Sequence, residues 1–215
     1  MMLVLVTLFW GVSYLLMDTA LEDSEPFTLN FIRFFGAFVI AAAAFFPKIR
    51  NVNKITLMYS ALIGLILVFV YIGATFGVMY TSLSNAGFLC ALTCVFTPAL
   101  GLIFKKQIAD KKFIFVIVIC FAGIALLSLD ENLKPAPGDI ICLLCAVSYA
   151  ADLLVTETAV SKEEVNVFQL GVFQLGFTGI FCLTAAVYAW AVLLLLSLLI
   201  METDISKITK KLFRK

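Results

Sequence analysis

The chain contains no histidine, only two tryptophans and five prolines, and few charges for its length: 14 acids and 15 bases among 215 residues. Without histidine the commonest general base is missing, and no Gly-rich phosphate loop or nucleophile elbow stands in for it. Enzymatic chemistry is therefore not expected, and neither is a cofactor. The net charge of +1 excludes nucleic acid as a partner, because phosphate binding needs a basic face and these bases sit in short stretches. Cys90, Cys94, Cys120, Cys142, Cys145 and Cys182 all fall inside apolar runs, where they act as small packing residues. Cys142 and Cys145 are spaced i, i+3, but without histidine or a second pair they make no metal site.

Scarcity of charge has a larger consequence. Hydrophobic residues make up 63% of the chain and charged ones 13%, against roughly 45 to 50% and about 25% in soluble domains. So few charges cannot clothe a water-soluble body of this size. The solvent for most of the protein must be lipid, and the fold class expected is an all-α polytopic membrane protein.

A helix needs about 20 apolar residues to cross about 30 Å of hydrocarbon. Runs of that kind lie at Leu3–Leu21, Phe27–Phe46, Ile55–Met79, Asn85–Phe104, Phe113–Leu129 and Ile140–Thr156. The first has no basic leader and no cleavage site, which reads as a retained span and not a signal peptide. The last apolar stretch, Val165–Met201, is long for one crossing. Charge favours two, turning near Ala185–Tyr188, although no Gly, Pro or Asn marks the turn. With the N-terminus cytoplasmic, every base except Arg33 and Lys134 then lies inside, as the positive-inside rule requires. This gives about eight spans, both termini cytoplasmic, in a multi-pass protein of the inner (plasma) membrane.

The chain also echoes itself. "WGVSYLLMDTALEDSEPFTLNFIRF" from Trp10 and "CAVSYAADLLVTETAVSKEEVNVFQLGVF" from Cys145 share Val-Ser-Tyr, then an acid, an acidic turn and a polar residue in the following span. Five spans separate the copies, so the second enters the membrane from the other side. The expected architecture is an inverted repeat: residues 1–134 as a first repeat of five spans, 135–215 as a shorter second repeat of about three with a basic tail.

The stretches "LFWGVSYLLMDTALEDSEPFTLNFIRF", "YTSLSNAGFLCALTCVFTPALGLIFKK", "FAGIALLSL" and "GDIICLLCAVSYAADLLVTETAV" resemble the drug/metabolite transporter superfamily, in particular its EamA-type members. That resemblance implies ten helices in two inverted five-helix repeats and solute carriage by alternating access. Two departures stand out. Lys105 and Lys106 replace the acidic pair usual after the fourth span, and the length implies that two helices of the second repeat are absent. The resemblance therefore points to a secondary-active transporter of a small metabolite or drug-like solute. Its competitors are a truncated, non-transporting or dimer-completed membrane protein, which makes a homodimer a candidate partner, and a lipid-linked sugar flippase.

Ionisable groups inside the bilayer cost about 2.5 to 3.5 kcal/mol on insertion scales and usually face a cavity or a partner. Arg33 lies about 10 Å below the end of its span, and it reads either as one half of an ion pair with Asp18 or as an anchor for a substrate carboxylate or phosphate. Asp152 stands in the second copy where Asp18 stands in the first, and Gln169 where Arg33 does. Asp152 and Asp18 are the candidate proton- or ion-coupling groups, and the alternative for Asp152 is a packing hydrogen bond to Gln169. Trp10, Tyr14, Asn85, Tyr149 and Gln169 join Arg33 as candidate substrate-binding residues, with Tyr71 as a further cavity aromatic. Tyr14 and Tyr149 are symmetry mates. Gly73 and Gly77 form a small-x3-small pattern for close helix packing, and Pro98 is a candidate hinge in the fourth span.

Overall fold

The computed structural model describes residues 2–105, 115–119, 122–123 and 136–212, and the regular elements among them are all helices. Among the described residues five segments are long and apolar enough to cross a membrane, and Val4–Ala20 adds a shorter apolar helix. In chain order the helices are α1 (Met2–Ala20), α2 (Pro26–Ala44), α3 (Phe46–Ile49), α4 (Lys54–Tyr80), α5 (Leu83–Ala91), α6 (Thr93–Lys105), α7 (Pro137–Val160) and α8 (Val167–Leu212). The fifth expected span, Phe113–Leu129, falls largely outside the described residues.

Local chemistry sets the boundaries. Pro26 and Pro137 occupy the first turns of α2 and α7, where a missing N–H costs nothing. The Asn53 side chain accepts from Ile55 N–H at 3.3 Å and opens α4, and Ser82 does the same for Asn85 at 3.2 Å to open α5. Asn166 accepts from both Phe168 and Gln169 at 3.1 Å and starts α8. At the head of α7, Asp139 takes the Ala136 N–H at 3.0 Å and the Thr81 hydroxyl at 2.5 Å. A carboxylate at that depth is satisfied by a helix N-terminus and a neighbouring hydroxyl.

Helix α4 is the axis of the bundle: α7 packs along one side of it and α8 along another, α8 also covers α2, and α5 and α6 rest on α7. Small residues set these approaches, because lipid supplies no hydrophobic drive and contact must come from packing. A Cβ on Gly77 would overlap the Cys142 sulfur, and one on Gly73 would press on Cys145. The i, i+3 cysteine pair is thus the knob that fills the Gly73–Gly77 groove. On the α8 side, Thr56, Ser60 and Gly64 of α4 meet the Asn166 N–H, the Leu170 carbonyl and the Thr178 hydroxyl at 3.3 to 3.4 Å. Gly179 of α8 lies against the backbone of Phe35 on α2.

One expectation is corrected here. No hairpin divides the last apolar stretch: α8 is helical straight through Ala185–Tyr188, since nothing in that alanine- and valine-rich segment stops a helix. Its 46 residues span roughly 69 Å at about 1.5 Å per residue, about twice the hydrocarbon thickness. A continuous α8 carries Lys207, Lys210 and Lys211 away from the face that holds Lys162, so the charge argument that favoured a hairpin fails. The fourth span, Leu83–Phe104, runs as two helical segments, α5 and α6. It is interrupted at Leu92, whose carbonyl accepts from both Val95 and Phe96. The Thr93 hydroxyl holds the break, donating to the Cys90 carbonyl at 2.8 Å and lying 3.3 Å from the Ala146 carbonyl of α7. Pro98 sits within α6, six residues further on.

Candidate functional site

Where α1, α2, α4, α5 and α7 converge, a small cavity is lined by Ser13, Tyr14, Met17, Arg33, Tyr71 and Tyr149, among others. Arg33 is half-buried. Its guanidinium donates to Ser13 Oγ at 2.7 Å, lies 3.5 Å from Met17 Sδ and sits 5.7 Å from the centre of the Phe34 ring. Phe34 in turn packs on Tyr71 with ring centres 4.3 Å apart. A guanidinium has five N–H donors, and among the described residues no carboxylate lies within ion-pair distance of this one.

The expected Asp18–Arg33 pair is therefore not formed. Ser13 and Met17, one turn apart on α1, face Arg33, while Asp18 lies a further 100° around the helix and is exposed. The internal echo carries the same information when its register is followed closely. The offset of 135 that sets Tyr14 on Tyr149 brings Met17, not Asp18, onto Asp152. Both members of that matched pair are buried, at 5% exposure each.

Asp152 lies on α7 one turn beyond Tyr149, and its Oδ1 is buried without a hydrogen-bond partner. The expected bond to Gln169 is absent because the Gln169 amide is engaged elsewhere. It donates to the Lys48 carbonyl at 2.9 Å and the Asn51 carbonyl at 3.2 Å, clamping the start of α8 to the α3–α4 connection. Gln169 is thus placed as a structural anchor at the rim of the bundle, away from the cavity. Asn85 sits in the first turn of α5 and is not among the cavity residues. The side chain of Trp10 lies outside the described residues.

Composition and spacing did not single out three contributors. Ser13 holds Arg33, and Asn30 and Thr75 extend the polar chain behind it. The Asn30 amide donates to Thr75 Oγ1 and to the Pro26 carbonyl, both at 2.9 Å. Thr75 donates to the Tyr71 carbonyl at 2.6 Å and lies 3.5 Å from Met17 Sδ. Asn30 Oδ1 is the second buried atom without a partner. An asparagine one turn from Arg33 in an otherwise apolar run was the available signal. The remaining wall includes Cys90 and Cys145, whose sulfurs are 3.8 Å apart.

The cavity measures about 20 Å³, room for roughly one water molecule. A metabolite enters only if a wall moves, and among the described residues α1 is the wall with the least packing, touching mainly α4 and α5. The arrangement offers a cation with spare donors, aromatic hydroxyls and, one turn away, a carboxyl group with one buried oxygen that has no hydrogen-bond partner.

The sequence model of the EamA-like transporter family matches residues 1–129. A protein of Archaeoglobus fulgidus described as an uncharacterized transporter is 30% identical over 151 residues, which cover 70% of this chain and 46% of the relative. The chain thus spans about half the length of the curated relative it matches.

Proposed function

The chain belongs to the EamA-like transporter family, and we propose that it carries a small anionic or amphipathic metabolite across the membrane by alternating access. The observation that carries this reading is Arg33, a guanidinium in the bundle interior that faces a cavity and has no acidic partner among the described residues. Its planar fork suits a carboxylate or phosphate. An arriving anion competes with Ser13 for the guanidinium, and loss of the Arg33–Ser13 bond frees α1 to swing outward. Binding and opening are then one event.

Asp152 is the coupling group in this scheme. A buried carboxyl with an unpartnered oxygen is stabilised by a proton or a cation, so its occupancy differs between the closed and open cavity. Residues 1–134 and 135–215 act as the two inverted halves, an assignment supported by Tyr14 and Tyr149 reaching the same cavity from α1 and α7. The loops carrying Lys48, Arg50 and Lys162 lie on one face, tied by Gln169, and that face is cytoplasmic by the positive-inside rule. The N-terminus lies with it, in an inner-membrane protein.

Reconstitution into proteoliposomes with a panel of anionic, zwitterionic and cationic solutes tests the reading. Arg33→Ala is expected to lower anion uptake at least about tenfold, the worth of one charge-assisted contact. Arg33→Lys keeps the charge and recovers part of it. Asp152→Asn is expected to remove the response to a proton gradient. Wild-type rates in Arg33→Ala at equal reconstitution would sink the site.

A further inference from the structure

A second space lies apart from the central cavity. Between α4, α6 and α7 runs an open groove of about 440 Å³, walled by Tyr59, Leu62, Phe104, Leu154, Val155 and Thr158. Its walls are apolar except at two hydroxyls, and that of Thr158 is bonded within its own helix to the Leu154 carbonyl at 2.8 Å. A hydrated solute finds nothing to hold it there. A hydrocarbon chain fits.

The groove ends at a charged rim. Lys162, exposed, places its ammonium 5.1 Å above the Tyr59 ring, and the neighbouring Tyr59 side chain holds its pKa above the ordinary lysine value. Lys105 closes α6 immediately after Phe104, and Lys54 opens α4 just before Tyr59. Lys48 and Arg50 occupy the same face, joined to the start of α8 through Gln169. Among the described residues, Glu157, Glu163 and Glu164 are the acids at this end, outnumbered by those bases. The opposite ends of α1, α2 and α7 carry Asp18, Glu22, Asp23, Glu25 and Asp139 instead.

We propose that this groove is a binding site for an anionic phospholipid of the membrane, one acyl chain lying between α4, α6 and α7 and the phosphate held at Lys162. Leaving bulk lipid for an equally apolar groove gives the chain little hydrophobic gain. Selection therefore falls on the headgroup, where each basic residue near an anionic surface favours binding about fivefold. The site is independent of the solute carried through the centre.

Native mass spectrometry of the full chain, released from detergent containing equal amounts of phosphatidylglycerol and phosphatidylcholine with identical acyl chains, tests it. The wild type is expected to retain phosphatidylglycerol about fivefold over phosphatidylcholine. Lys162→Gln, a change at an exposed loop residue, should bring the ratio close to one, and Leu154→Trp, which fills the groove, should lower retention of both lipids. Equal retention by the wild type overturns the proposal, as does a Lys162→Gln ratio like that of the wild type. Lipid bound as before in Leu154→Trp overturns its placement in the groove. A lipid-free dimer would assign the groove to a second copy and overturn it as well.

Discussion

Ser13 and Gln169 show how little a residue's type says about its task in this bundle. Ser13 is small and common, yet it accepts the shortest bond of Arg33 and ties α1 to α2. Gln169 is a polar residue inside a span, the sort that invites a substrate role, yet both its amide bonds go to the backbone carbonyls of Lys48 and Asn51. Gln169→Ala is accordingly expected to lower stability by about 1 kcal/mol, the net worth of a hydrogen bond in a partly buried setting, while solute preference stays unchanged. Thermal unfolding in detergent beside the same transport assay separates the two effects. Asp152 should behave in the opposite way. Its buried oxygen has no partner, so Asp152→Leu is expected to stabilise the protein by about 1 kcal/mol or more and to abolish gradient-driven uptake. Lower stability in that variant would mean that the carboxyl is held by a contact the structure does not contain. Gain of stability with loss of transport is the pattern of a group kept for function.

At the level of helices, the contacts that matter are set by small residues and by one interruption. The Gly73–Gly77 pattern was visible in the sequence as a place of close approach, and Cys142 and Cys145 were visible as packing residues. Their meeting across α4 and α7 was not, because pairing of distant faces is a property of the assembled bundle. The break at Leu92 had no Gly or Pro to announce it. It arises because Thr93 turns its hydroxyl back to the Cys90 carbonyl and toward α7, a competition between side chain and backbone that only a neighbouring helix makes worthwhile. Cys90 and Cys145 stand on the two sides of that junction with sulfurs 3.8 Å apart. Mild oxidation with copper phenanthroline is therefore expected to join them within one chain, and Cys90→Ser or Cys145→Ser to prevent it, read by peptide mass after digestion. Cross-linking that survives in both variants would show that α5 and α7 are not paired as described. Under the transport reading the cross-link also arrests uptake, since it fastens a cavity wall.

Across the assembled bundle, the loops divide by charge. Lys48 and Lys162 belong to one face because Gln169 joins their loops, and Asp23 and Asp139 belong to the other by the alternation of α1, α2, α4 and α7. Cysteines introduced at Asn53 and Ser161 are expected to react with a membrane-impermeant maleimide from the same side, and one at Ser24 from the opposite side. Labelling of Asn53 and Ser161 from different sides would refute this arrangement. The EamA-like match over residues 1–129 belongs to this level too, as does the convergence of Tyr14 and Tyr149 on one cavity from α1 and α7.

That the chain is a helical membrane protein followed from composition alone, because hydropathy sums over a run and lipid leaves a backbone few ways to satisfy itself. Helices α2, α4, α7 and the start of α8 were legible for that reason, as was Arg33 as an expensive cation needing a purpose. The partners of Arg33, the exposure of Asp18 and the burial of Asp152 depend on which turn of each helix faces inward. So does the release of Gln169 from any part in the cavity. An error of one residue rotates a side chain by 100°, and only packing against α4 and α8 chooses among the faces. The unbroken course of α8 belongs with these: loop charge argued for a turn, but a backbone without a breaker goes on adding hydrogen bonds for as long as nothing in the chain opposes them.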